Sequence, residues 1–229
     1  MNDMDVIGDL APSTALMAEL NANGIRIECF QGKASPVSGN GLEWACADWY
    51  RAERVFRIYL PLLCSAHQLF HELLHCYFGC IRGMELVVAV TGAEPRVQAQ
   101  VATFNNDFDH IFVVQREIEE HPEAEQFWDA EFRRSYAELD LHAADVLTRY
   151  QNKMMLLKGW AVLDVAMPKS DIRSVFEMAL EGYGCKEASH TMSEAIKRAG
   201  SNKRAVVEVF LEALGFDYQN LRRATYAAW

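Results

Sequence analysis

The chain has 229 residues, of which 51% are apolar, and a formal net charge of −10 at pH 7. Such a length and apolar share supply one large core, or a domain with an appendage, and exclude a chain dominated by disorder. The acidic balance disfavours partners held through phosphate backbones, because non-specific affinity for nucleic acid comes from basic surface.

Pro12 and Ser13 open the run "STALMAELNANG", whose apolar positions recur at helical spacing and which closes on Asn and Gly, a helix stop. "IRIECFQG" then alternates as a strand does, "KASPVSGNG" is a turn-rich loop, and "LEWACADWY" and "RVFRIYLPL" are two further strands joined by "RAE". Next comes "CSAHQLFHELLHCYFG". Ser65 followed three residues later by Gln68 has the spacing of a capping box, so a helix is expected from Ala66 to near Gly79. "MELVVAV" is a short apolar run, helix continuation or strand, and "TGAEP" is a break. Helices are expected over "PRVQAQVATF", "DFDHIFVVQREIEEH" and, after Pro122, "EAEQFWDAEFRRSYAELD". From Leu141 on the pattern stays helical: a segment ending at Pro168, then "SDIRSVFEMALEGYG", "SHTMSEAIKRAG" and "SNKRAVVEVFLEALG", each opening on a polar cap and closing on Gly. No internal repeat or low-complexity stretch interrupts this order.

The helix "AHQLFHELLHCYFG" carries the chemistry. At 3.6 residues per turn, His71 and His75 project from one face about 6 Å apart, close enough for two imidazole nitrogens to bind one Zn²⁺ at ~2.0 to 2.1 Å. Glu72 lies ~100° round from His71, beside the ligands, where a general base could take the proton of a zinc-bound water while the metal polarises a carbonyl. With seven His in the chain, chance places H-E-x-x-H in roughly one or two per cent of shuffled sequences, so the motif carries weight without being decisive. Its helix neighbours Leu69, Phe70, Leu73, Leu74, Tyr77 and Phe78 imply burial. Buried imidazoles and a buried carboxylate need partners, since each unpaired group costs about 1 to 3 kcal/mol, and a divalent cation would supply one.

"HELLH" on a helix after a strand, behind a three-strand start, resembles the zincin superfamily of HExxH metallopeptidases. The stretch "RVFRIYLPLLCSAHQLFHELLH" loosely resembles the strand-to-helix unit of small ImmA/IrrE-type members, with Leu74 where a small residue is usual. The likeness covers about residues 13 to 120. It implies an α+β fold: a small zincin-like domain (N-terminal helix, about three strands, active-site helix) over residues 1–149, then a mainly helical extension over 150–229 able to pack into the same unit. It also implies a zinc-dependent peptidase with Glu72 as base and a protein or peptide substrate.

Catalytic zinc takes three protein ligands and keeps a position for water. For the third ligand, "NNDFDH" offers His110 first, with Asp109 and Asp107 as alternatives, and Glu94 has a workable spacing but precedes Pro95 in a loop-like stretch. Carboxylates that are not ligands could orient an imidazole. His67, one turn before His71, is excluded as third ligand, because positions i, i+4 and i+8 span about 12 Å along a helix. It is expected beside the site or in the substrate cleft. His121, His142 and His190 have no supporting pattern and are expected at the surface or at caps. Tyr77, Tyr136 and Tyr150 are candidates to stabilise an oxyanion.

The six cysteines, Cys29, Cys46, Cys64, Cys76, Cys80 and Cys185, form no CxxC pair and read as reduced buried thiols. Cys76 and Cys80, one turn apart beside the histidines, keep a structural Cys/His zinc site as an alternative. No segment approaches the ~20 apolar residues of a membrane span, and no Lys or Arg precedes Arg26, so no signal peptide is expected and the expected location is cytoplasmic. Residues 1–149 carry 11 Lys plus Arg against 23 Asp plus Glu, a net of −12, and residues 150–229 carry 11 against 9, a net of +2. Only the second part, through Lys197, Arg198, Lys203, Arg204, Arg222 and Arg223, could meet nucleic acid, and a solvated helical face explains those charges as well. "SEAIKRAGSNKRAVVEVFLEALG" superficially resembles a helix-turn-helix. It supports the second reading, a non-catalytic regulatory or partner-binding protein on a zincin-like scaffold.

Overall fold

A proline near a helix start loses nothing, because the first N–H groups of a helix have no partner in it, and α1 (Ala11–Ala22) opens with Pro12 in its first turn. The computed structural model describes residues 6–37, 40–84, 86–89, 92, 95–200, 202–214 and 224–227. The fold is α+β and mostly helical, with eight α-helices and three small sheets among the described residues. The chain divides into two compact units, Met1–Met84 with Glu119–Pro122 and Ala228–Trp229, and Glu85–Ile118 with Glu123–Ala227.

In the first unit, β1 (Val6–Ile7) precedes α1, and β2 (Arg26–Gln31), β3 (Cys46–Tyr50) and β4 (Val55–Leu60) form a sheet in the order β2-β4-β3. The central strand runs parallel to β2, Arg26 opposite Val55, and antiparallel to β3, Cys46 opposite Tyr59. Because β4 is covered on both faces, it reads as an almost unbroken apolar run, with every residue buried except Arg57. That arginine donates to Glu28 of β2 at 3.0 Å and lies over the Tyr50 ring of β3 at 4.1 Å, so one side chain ties all three strands. On the same sheet Trp49 stacks on Phe56, ring centroids 4.3 Å apart.

The two-residue strand β5 (Cys64–Ser65) pairs parallel with β1 immediately before the motif helix α2 (Ala66–Cys80). Pairs this short leave no periodicity to read, and neither strand is expected from the sequence. Gly8, at φ +119, adapts the turn after β1, where an added Cβ would lie 3.1 Å from the Ala66 Cβ. The expected capping box is present: the Ser65 N–H donates to Gln68 Oε1 at 3.0 Å. Helix α2 packs against α1, β3 and β4 and is buried along most of its length, including Leu69, Leu73, Leu74 and Cys76.

The second unit holds β6 (Leu86–Ala89), paired antiparallel with β7 (Ala224–Ala227), and helices α3 (Pro95–Glu120, its last two residues assigned to the first unit), α4 (Ala124–Ala137), α5 (Val146–Ala166), α6 (Ile172–Gly182), α7 (Lys186–Ala199) and α8 (Lys203–Leu214). Its core is built round Phe108, Trp160, Phe176 and Phe210. "MELVVAV" therefore contributes a strand. The two helices expected either side of Asn105 are one continuous α3, since Asn lowers helix propensity without breaking a helix as Gly or Pro would. Helix α5 starts later than expected, where Asp145 caps it by accepting from the Thr148 N–H at 2.8 Å. Helix α7 starts earlier, at Lys186, and Ser189 sits inside it, donating to the Lys186 carbonyl at 2.7 Å. A boundary at residues 149 and 150 would fall inside α5, within the second unit.

A buried carboxylate joins three helices of this unit. Asp164 of α5 is 8% exposed, pairs with Lys197 of α7 at 2.8 Å and accepts from Arg173 of α6. Burial alone would raise its pKa, but the contacts to Lys197 and Arg173 outweigh it and hold the carboxyl below its ordinary value. A lowered folded value means stabilisation present above the unfolded carboxylate range and lost as pH falls through the folded pKa. Asp164→Asn is expected to cost about 1 to 3 kcal/mol at pH 7, and the difference between the urea midpoints of the two proteins should shrink as pH falls below the ordinary carboxylate range.

Candidate metal centre

Residues four apart on a helix stand one above the other, and α2 brings His71 and His75 together with Nε2 to Nε2 at 3.1 Å and their rings edge to face. Both are almost fully buried, 8% and 9% exposed. Two nitrogens each ~2.0 to 2.1 Å from a tetrahedral Zn²⁺ would be about 3.3 Å apart, so the pair already spans close to one edge of such a tetrahedron. His71, His75 and His110 are three imidazoles that could hold a metal ion. Three imidazoles are a donor set that zinc accepts.

His110 is braced from its own unit. Its ring lies edge to face on Trp128 of α4 at 5.2 Å, and Trp128 Nε1 donates to the buried Glu117 carboxylate at 2.8 Å. The alternative ligands on α3 are engaged elsewhere. Asp107 pairs with Lys158 of α5, and Asp109 pairs at 2.6 Å with Lys203 of α8, both of these side chains being nearly inaccessible. Burial pushes the Asp107 pKa up despite Lys158, and burial pulls the Lys203 pKa down despite Asp109. Glu94 lies outside the described residues.

Glu72 is 8% exposed, and among the described residues its carboxylate has no hydrogen bond or ion pair. The neighbouring thiols are not shaped as ligands. Cys76 Sγ donates to the Glu72 carbonyl at 3.2 Å, and burial, aided by the Glu72 charge, pushes its pKa well up; burial also raises Cys64, to about 12, and Cys80. The three-histidine group contains no cysteine.

His67 is buried on α2 but does not belong to that group, in line with the helical geometry. His121 corrects the surface expectation: it is 2% exposed and packs on Phe70 of α2, centroids 5.2 Å apart. His142 and His190 are exposed, the latter beside Glu177 at 3.2 Å. Of the tyrosines, Tyr77 stands ~200° round the helix from His75, Tyr136 packs on Phe176 in the helical core, and Tyr150 is half-buried on α5, its pKa raised by burial. The basic set of the last third is largely neutralised: Lys197 pairs with Asp164 and Glu194, Lys203 is buried, and Arg204 pairs with Glu208. Arg222 and Arg223 lie outside the described residues. Trp128, Glu117 and Lys158, and the pairing of Lys203 with Asp109, have no local pattern to mark them, since their partners are 11 to 94 positions away. Among the described residues no helix is long and apolar enough to cross a membrane.

No known family model matches the chain, and no curated protein or solved structure matches it.

If the three imidazoles form one site, the purified protein should take up one equivalent of Zn²⁺, and His71→Ala, His75→Ala and His110→Ala should each weaken uptake at least about tenfold in competition with a chromogenic chelator. Asp107→Asn should leave uptake unchanged.

Proposed function

We propose that the protein is a zinc-dependent hydrolase, most simply a peptidase, with His71, His75 and His110 as metal ligands and Glu72 as general base. The observation that carries this reading is the pair of imidazole donors that α2 holds 3.1 Å apart, while the residue after His71 is a buried carboxylate without an ion pair among the described residues and His110 completes a set of three that could hold a metal ion. Bound zinc would polarise a scissile carbonyl and acidify water.

The chain's own groups supply the rest. The 3.1 Å spacing of the two Nε2 atoms fixes two ligand positions before metal arrives, so little ordering remains to be done on binding. The Trp128 ring limits rotation of His110. Glu72, in surroundings that exclude most water, accepts a proton and can return it to a leaving amine. The near-complete burial of His71 and His75 also fits a closed structural metal site, the one observation that favours the second reading, a partner-binding protein on this scaffold. The nucleic-acid version of that reading has less support, given the ion-paired basic residues of α7 and α8.

Glu72→Gln separates the two. On a library of unstructured peptides, the hydrolase reading expects a loss of about 10²- to 10⁴-fold in kcat with zinc content retained. Cleavage at the original rate by the variant, or none by a zinc-loaded wild-type protein, would overturn it.

A further inference from the structure

The helical unit contains a cavity of about 170 Å³ between α3, α4, α5 and α6, and His110 forms part of its wall. Its size is informative: a cavity of about 150 Å³ is known to accept one benzene ring, so this one suits a single aromatic side chain and not a longer segment. Trp128, Phe132 and Phe176 supply aromatic faces and edges, the surfaces on which another ring packs best. Gly159 lets the Phe176 ring pack directly on α5 at the wall, since an added Cβ would meet that ring at 2.5 Å. Met155, also on the wall, is 42% exposed, so the cavity reaches the surface.

The lining is not purely apolar. Asp107, Glu131, Lys158 and Ser135 also face the cavity. Among the described residues Lys158 has Asp107 as its ion-pair partner, and an ammonium group has three donors, so donors remain for an incoming acceptor. A plain hydrocarbon ring would cover these groups without replacing their water, at a cost in free energy. A ring with a hydroxyl would accept from Lys158 and donate to a carboxylate.

We propose that this cavity binds one phenolic side chain, that of tyrosine, in the substrate. The proposal rests on the hydrolase reading for its substrate, and it adds selection at the residue placed next to His110. Trp128 then has two roles, bracing His110 and forming part of the wall, so occupancy of the cavity bears directly on the ring that orients the imidazole.

The test uses the full chain without metal and p-cresol as the probe, followed by NMR shifts of the Trp128 indole and of His110. Saturable binding is expected, with toluene at least about fivefold weaker, the effect of one net hydrogen bond. Ser135→Phe, which fills the space, should abolish binding, and Met155→Trp, at an exposed wall position, should do the same if the first variant fails to fold. The double change Asp107→Asn with Lys158→Met should narrow the preference for p-cresol over toluene. No saturable binding, equal affinity for the two probes, or binding unaffected by filling would overturn the proposal. Zinc uptake is measured separately on the same protein, so p-cresol binding without zinc uptake would refute the hydrolase reading and leave the cavity's preference standing.

Discussion

Two imidazoles 3.1 Å apart on a buried helix set the terms for the rest of the molecule. Nitrogens so close cannot both present lone pairs to one another without a proton or a cation between them, and neither ring has much access to water. Everything round α2 serves to keep them there. The Ser65–Gln68 box starts the helix at a defined residue, Gly8 lets β1 turn closely beside Ala66, and α1, β3 and β4 pack against the helix.

The third imidazole is organised by other means. His110 sits on a helix in which both nearby carboxylates are taken by lysines, Asp107 by Lys158 and Asp109 by Lys203. Removing one partner of a buried pair is costly, because the remaining charge is stranded, so these pairs anchor α3 to α5 and α8. The aspartates next to His110 thus act in packing α3. Trp128, tied by its indole N–H to Glu117, restricts that imidazole from the side. The same tryptophan reaches the cavity, which gives the helical unit a part in the proposed chemistry that its composition does not announce.

Local signals read well wherever the physics was local. The capping box, the three longer strands and the helix stops at Gly were legible because each depends on residues within four positions of one another. The i, i+4 histidines were legible for the same reason, and so was the exclusion of His67 from the metal group. The two-residue strands β1 and β5, the continuity of α3 across Asn105 and Asn106, and the burial of His121 against Phe70 were not. Each is decided by a partner distant in sequence, and tertiary contact overrides a weak local preference.

By itself, the sequence determined an α+β chain with an H-E-x-x-H helix and a net-acidic first part, since composition, spacing and caps are properties of neighbouring residues. Only the tertiary structure decided that Asp107 and Asp109 are engaged in ion pairs, because that depends on where Lys158 and Lys203 arrive from α5 and α8. The cavity beside His110 was likewise a tertiary outcome: it is the space left when helices α3 to α6 meet at Gly159 and Phe176, and no single segment encodes a void.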